Sequence, residues 1–203
     1  MSATPSKVRR EKQFLGMAAG LAVGLAALPV HVAALTSSGQ ADHHGVKEAT
    51  STVADFRRAD PSLSRFFDGA AGYAVFPAIA KGAFGIGAAH GRGVLFEHGQ
   101  PVGRTTLTQV TIGAQLGGQS YSEVVFFESA DPLKRFKEGE FAMAAQTSAV
   151  AASEGASADA RYARGVAVFT LARSGLMAEA SVGGQKFAYT PFAPGAAAAA
   201  QGG

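Results

Sequence analysis

Between Tyr73 and Thr190 the chain alternates, and in two places it alternates with glycine. In residues 84–89, Phe84, Ile86 and Ala88 take one set of positions, while Gly85, Gly87 and Ala89 take the other. In residues 112–118, Ile112, Ala114, Leu116 and Gly118 alternate with Gly113, Gln115 and Gly117. A period of two marks a strand, because successive side chains leave opposite faces. Glycine inside a strand weakens it and marks a bend or a close backbone approach. Something must therefore pack tightly on these glycine faces. A helix or second sheet layer is the leading reading, and a groove for an acyl chain is the alternative.

The rest of the pattern frames these strands. Val46, Ala49, Val53 and Phe56 share one helical face, with Lys47, Glu48, Asp55 and Arg57 elsewhere. Asp60-Pro61 ends that helix, and Pro61 can open a short second one holding Leu63, Phe66 and Phe67. Short strands are predicted at 73–76, 82–89, 92–98, 101–108, 111–120 and 122–128, then at 141–151, 164–172, 176–182 and 186–190. Between the two sets, residues 131–139 carry Leu133 and Phe136 three apart, a short inserted helix. The expected fold is α+β: a strongly curved antiparallel β-sheet or partial barrel with an N-terminal amphipathic helix and a short inserted helix.

Composition narrows the chemistry. At 203 residues the chain suits one domain, and 47% hydrophobic against 16% charged residues supplies a core. It has no cysteine, which excludes disulfides, thiolate metal sites, a lipid-modified cysteine and a cysteine nucleophile. The excess of base over acid sits in residues 1–34, as Lys7, Arg9, Arg10 and Lys12 against Glu11. The remainder is formally neutral. Nucleic acid is therefore not an expected partner.

Those first residues have the layout of an export signal. A basic stretch at 7–12 runs into an apolar segment at 14–32, then the small residues Val32-Ala33-Ala34. Arg9-Arg10 resembles a twin-arginine signal, though Phe14-Leu15 falls two residues late. The rival is an uncleaved inner-membrane anchor, since the apolar run approaches the roughly 20 residues that span a bilayer. The expected organisation is an export signal or anchor at 1–34, a linker at 35–45, a domain at 46–190 and a disordered Ala/Gly-rich tail at 191–203. Either signal reading places the domain in the periplasm or envelope.

No catalytic or cofactor motif emerges. Gly85-Ile86-Gly87-Ala88-Ala89-His90 begins like a dinucleotide fingerprint, but its third glycine is displaced and a strand follows where a helix is needed. There is no P-loop and no G-x-S-x-G elbow. Asp42-His43-His44 has metal-ligand residue types on a linker without fixed geometry, and His90 and His98 flank a strand with nothing to place a triad. Catalytic residues, metal and cofactors are all expected to be absent. Arg57 and Arg58 at the helix end, with Lys81 and Arg92 flanking the glycine-rich strand, are basic residues beside apolar ones. That arrangement suits an interface with anionic headgroups.

Ala74-Val75-Phe76-Pro77, Lys81-Gly82-Ala83-Phe84-Gly85-Ile86-Gly87 and Gly91-Arg92-Gly93-Val94-Leu95 together resemble the SYLF domain family. Its members show a VFP, a lysine, a GFGIGG-like stretch and a GVL. Leu116-Gly117-Gly118-Gln119, Glu123 to Phe127, and Ser174-Gly175-Leu176-Met177-Ala178 with Ser181-Val182 extend the resemblance over 46–190. Gly82-Ala83 stands for Ala-Gly, His90 interrupts the glycine run, and Glu179 replaces a usual glycine. The resemblance implies lipid binding. Eukaryotic members bind phosphoinositides and act with the actin cytoskeleton, and bacterial members are exported. It carries over Lys81, Phe84, Gly85, Ile86 and Gly87 as motif positions, and implies an amphipathic helix at 46–59 ahead of them.

Three functions follow as expectations. The first is a non-catalytic envelope protein that binds anionic phospholipid or a membrane surface through its helix and glycine-rich strand, using Arg57, Arg58, Lys81, Phe84, Gly85, Ile86, Gly87 and Arg92. The second is a structural or interaction protein that packs an envelope partner or a second copy through its glycine-faced strands. The third is an enzyme built around His90 or His98. The oligomeric state is open.

Overall fold

The computed structural model describes residues 29–139, 142–144, 150–151, 155 and 157–193. In chain order these form α1 (Pro29–Ala59), a 3-10 turn (Pro61–Leu63), α2 (Ser64–Gly69), β1 (Gly72–Glu97), β2 (Gln100–Phe127), α3 (Ala130–Lys137), β3 (Ala142–Ala144), β4 (Val150–Ala151) and β5 (Val166–Pro191). The class is α+β. One sheet runs β1-β2-β5-β3, antiparallel throughout, with β4 added parallel to β5.

β1 and β5 each have 26 residues and β2 has 28. At roughly 3.3 Å per residue such strands would extend about 85 Å if straight, around twice the width of a domain this size. They bend instead. Register shifts lie between Phe76 and Ile79 and between Phe84 and Ile86, where bulges increase the local twist. Beyond them β1 returns over its own beginning. The Tyr73 ring stacks on Phe96 of the same strand, with centroids 5.1 Å apart. A Cβ on Gly93 would lie 2.3 Å from the Val75 carbonyl oxygen, and one on Gly91 would lie 2.6 Å from Ile79 Cγ1. Gly91 and Gly93 thus lie close against the first arm of the same strand. Both fall outside the glycine faces of 84–89 and 112–118 read from sequence. Among the described residues no strand pairing joins the two arms, so the sheet curls without closing.

Alternate residues then feed two cores. Ala74, Phe76, Ile79, Leu95, Leu107, Val125, Phe127, Val168 and Phe187 point into the curl, where Leu133 and Phe136 of α3 join them. Val75, Val94, Phe96, Val124, Phe126 and Phe169 point outward and are covered by Val46, Ala49 and Phe56 of α1 and by Phe66 and Phe67 of α2. α1 therefore covers the place where the two arms of β1 meet.

Several expectations are corrected. The short strands before and after residue 98 merge into β1 and β2. The one turn between them is His98-Gly99, with φ of 49° and 76°, the two positive values that a tight two-residue hairpin requires. The three segments from 164 to 190 are likewise one strand. Of the strand expected at 141–151, only β3 and β4 are described. The linker at 35–45 is helical, because α1 runs through it. Asp42 is buried there against Arg104 of β2, with Nη1 3.1 Å from Oδ1, and this tertiary contact outweighs Gly39 and Gly45. The helical face Val46, Ala49, Val53, Phe56 is as expected, but it is spent on the core and presents no apolar surface outward. The inserted helix is present as α3. Residues 1–28, with most of the expected signal, and 194–203, with most of the expected tail, lie outside the described residues. Among the described residues no helix is long and apolar enough to cross a membrane.

Candidate functional site

The bend in the strands is what α1 leaves uncovered. Phe84 is 86% exposed, Ile86 67%, Leu116 62% and Val110 55%. Phe84 lies opposite Leu116 and Ala88 opposite Val110 in the β1–β2 register, so these side chains share the outer face. β5 continues the register, with Ala178 opposite Leu116 and Gly184 opposite Val110. On the inner face Gly87 and Ala89 are buried. Large apolar residues outside and small ones inside are what a tight bend permits, and the result is an exposed apolar ridge. Single exposed apolar residues are ordinary, whereas a contiguous group marks an interaction surface.

Next to the ridge on the same face lies a cleft of about 600 Å³ between α1 and the sheet. Glu48, Ser51, Thr52 and Asp55 of α1 form one wall, and His90, Arg92, Ser120 and Arg173 line the other. Arg173 Nε donates to Ser122 Oγ at 2.7 Å, and that hydroxyl donates to the Pro77 carbonyl at 2.7 Å.

Inside the curl the lining turns polar. Gln185 Nε2 donates to Glu123 Oε2 at 3.2 Å and to Gln109 Oε1 at 3.3 Å. Burial pushes the Glu123 carboxyl up to about 7, with the Gln185 hydrogen bond pulling the other way. Lys81 is also buried and lies in register with Gln119.

The residues singled out from sequence therefore divide. Phe84 and Ile86 stand on the ridge, Gly87 lies beneath it, and the backbone of Gly85 lies between them in β1. Arg92 lines the cleft and Lys81 faces the interior. Arg57 is committed to α2: its guanidinium donates to Ser64 Oγ at 3.2 Å and Asp68 Oδ1 at 3.0 Å, and lies 4.7 Å from the Phe67 ring centroid. Arg58 pairs with Asp55 at 2.9 Å. Sequence reasoning missed Val110 and Leu116 as site residues; for Leu116 the alternation with Gly117 was the available signal, whereas Val110 sits between Gln109 and Thr111 with no such signal. It also missed Glu48, Asp55 and Arg173, which meet only in the fold. Among the described residues no group of His, Asp and Glu is arranged to hold a metal ion.

Comparison with known proteins adds a family match over part of the chain. The model described as Ysc84, Las17-binding protein actin regulator, matches residues 108–190. The motif at 74–95 precedes that span, but β1, which carries it, is hydrogen-bonded along β2 within the same sheet. A protein named beta cell expansion factor A, from Aeromonas veronii, is 28% identical over 130 residues, covering 63% of this chain. The chain spans about half the length of that relative, 49%. No solved structure matches. Residues 108–190, which carry most of β2, all of α3 and β5 up to Thr190, thus match the Ysc84 family model, the SYLF type, while α1 and β1 lie outside the match.

Proposed function

We propose that this protein is a non-catalytic module that docks on a membrane surface through the ridge formed by Phe84, Ile86, Val110 and Leu116. The single observation that carries the reading is the exposure of these four side chains on one face of a bend that no other described element covers. Apolar side chains at the tip of a curved sheet can enter the headgroup boundary while the body stays in water. Burying a side chain such as Phe or Ile is worth about 1.5–3 kcal/mol. The basic residues have a smaller share than their sequence positions implied, because Arg57 and Arg58 already have carboxylate partners. Residues 7–34 support action outside the cytoplasm, at the bacterial envelope.

Co-sedimentation of the full chain with vesicles tests this. Replacing Phe84 and Ile86 together by Ser is expected to weaken vesicle binding about a hundredfold, since roughly 3 kcal/mol of apolar burial is lost. Melting should hardly change, because both side chains are exposed. Unaltered vesicle binding by the double variant refutes the ridge. Failure of the wild type to bind any vesicle, with a stable self-assembly in light scattering, favours a protein partner or second copy on the same surface.

A further inference from the structure

The cleft beside the ridge has walls of opposite charge that do not touch. On the α1 side, Glu48 pairs with His44 at 3.2 Å and Asp55 with Arg58 at 2.9 Å, both along the helix itself. On the sheet side, Arg92 has no hydrogen-bond or ion-pair partner among the described residues, and Arg173 is held only through Nε. Among the described residues no ion pair joins the walls. Two guanidinium groups and the Ser120 hydroxyl thus face two carboxylates and the Ser51 hydroxyl across open space. Guanidinium groups recognise phosphate oxygens, and carboxylates recognise ammonium groups. A ligand filling the cleft with both walls satisfied carries both signs.

We propose that this cleft binds a phosphodiester bearing a primary ammonium, a headgroup of the phosphoethanolamine kind. The phosphate lies against Arg92 and Arg173, and the ammonium donates to Glu48 and Asp55. Two alternatives fit less well. A polyanionic headgroup would bring its charge against Glu48 and Asp55. A quaternary ammonium has no N–H to donate and favours aromatic faces, whereas the lining contains no aromatic side chain other than the His90 imidazole. The surroundings suit an amphiphile, because Ala80 and Ser120 at the cleft are each four residues along their strands from Phe84 and Leu116. Four residues of strand are roughly 13 Å, so acyl chains leaving the cleft run onto the ridge. The placement of a lipid rather than a free headgroup rests on the membrane reading above.

The test uses the full chain with vesicles of phosphatidylcholine alone, with added phosphatidylethanolamine, or with added phosphatidylglycerol, and with soluble glycerophosphoethanolamine in calorimetry. Phosphatidylethanolamine is expected to raise vesicle affinity about tenfold over phosphatidylcholine, the scale of a charge-assisted hydrogen-bond pair. Arg92→Ala, which removes no side-chain hydrogen bond or ion pair among the described residues, should abolish that gain, and Glu48→Gln with Asp55→Asn should do the same. Equal binding to all three compositions, or preference for phosphatidylglycerol, overturns the cleft assignment while the ridge stands. Binding of glycerophosphoethanolamine that is sensitive to Arg92→Ala, with no binding to any vesicle, upholds the cleft and removes the membrane.

Discussion

Gly93→Ala tests the fold-back that creates the exposed bend. The added methyl would lie 2.3 Å from the Val75 carbonyl oxygen, 2.8 Å from Phe76 Cδ1 and 3.0 Å from the Val75 carbonyl carbon. Two of these three atoms are backbone in the opposing arm, so no side-chain rotation relieves the overlap. Overpacking of a filled site costs about 1–3 kcal/mol, and backbone contact puts this one at the upper end, about 3 kcal/mol. For a chain of this length about 2–4 °C accompanies each kcal/mol, so the melting midpoint should fall by roughly 6–12 °C. Gly82→Ala is the matched control, with nothing within 4 Å of its Cβ. Its stability should stay within about 0.5 kcal/mol of wild type. Urea unfolding followed by circular dichroism, with paired thermal melts, measures both. If the two variants are equally stable, the arms of β1 do not meet as described.

Further expectations follow from the buried polar groups. Glu123 has a folded pKa of about 7 against 4.5 unfolded, so the folded state keeps a proton that the unfolded state releases. Stability should therefore fall by about 3 kcal/mol as pH rises from 4.5 to 7, then level off. Glu123→Gln should flatten this slope and raise the urea midpoint at about pH 8, with little change near pH 5. Asp60 behaves oppositely. Burial raises its pKa, but the Ser62 and Ser157 hydrogen bonds outweigh that and hold it below the usual value, so its contribution is lost as pH falls through the acid range. Asp60→Ala removes the Ser62 cap and leaves the Ser157 N–H, donated at 2.7 Å, without its acceptor. This should cost about 2–3 kcal/mol in a denaturation midpoint. Arg57→Ala should cost about 1 kcal/mol through its half-exposed clamp on α2.

The strands were legible because side chains alternate strictly, and α3 because Leu133 and Phe136 recur at helical spacing. Strand ends were not. Gly82, Gly91 and Pro77 read locally as breaks, whereas in the fold Pro77 lies within a bulge, and Gly91 avoids a collision with Ile79 some twelve residues away. Between β1 and β2 the turn falls at His98-Gly99, where both backbone φ angles are positive. The helix start at Val46 was misplaced for a similar reason, since Asp42 is drawn into the helix by Arg104, sixty-two residues on. At the site, Phe84 and Ile86 were identifiable from the motif. The carboxylate wall was not, because Glu48 and Asp55 looked like the solvated face of an amphipathic helix.

The most direct test of the membrane account uses the absence of tryptophan from this chain. Phe84→Trp places one fluorophore on the ridge, at a position where the native side chain is 86% exposed. In buffer its emission should be that of an indole in water. With vesicles it should shift to the blue and be quenched by lipids brominated near the headgroup end of the chain. A variant that sediments with vesicles while the introduced indole still emits as in water, unquenched, would contradict the account.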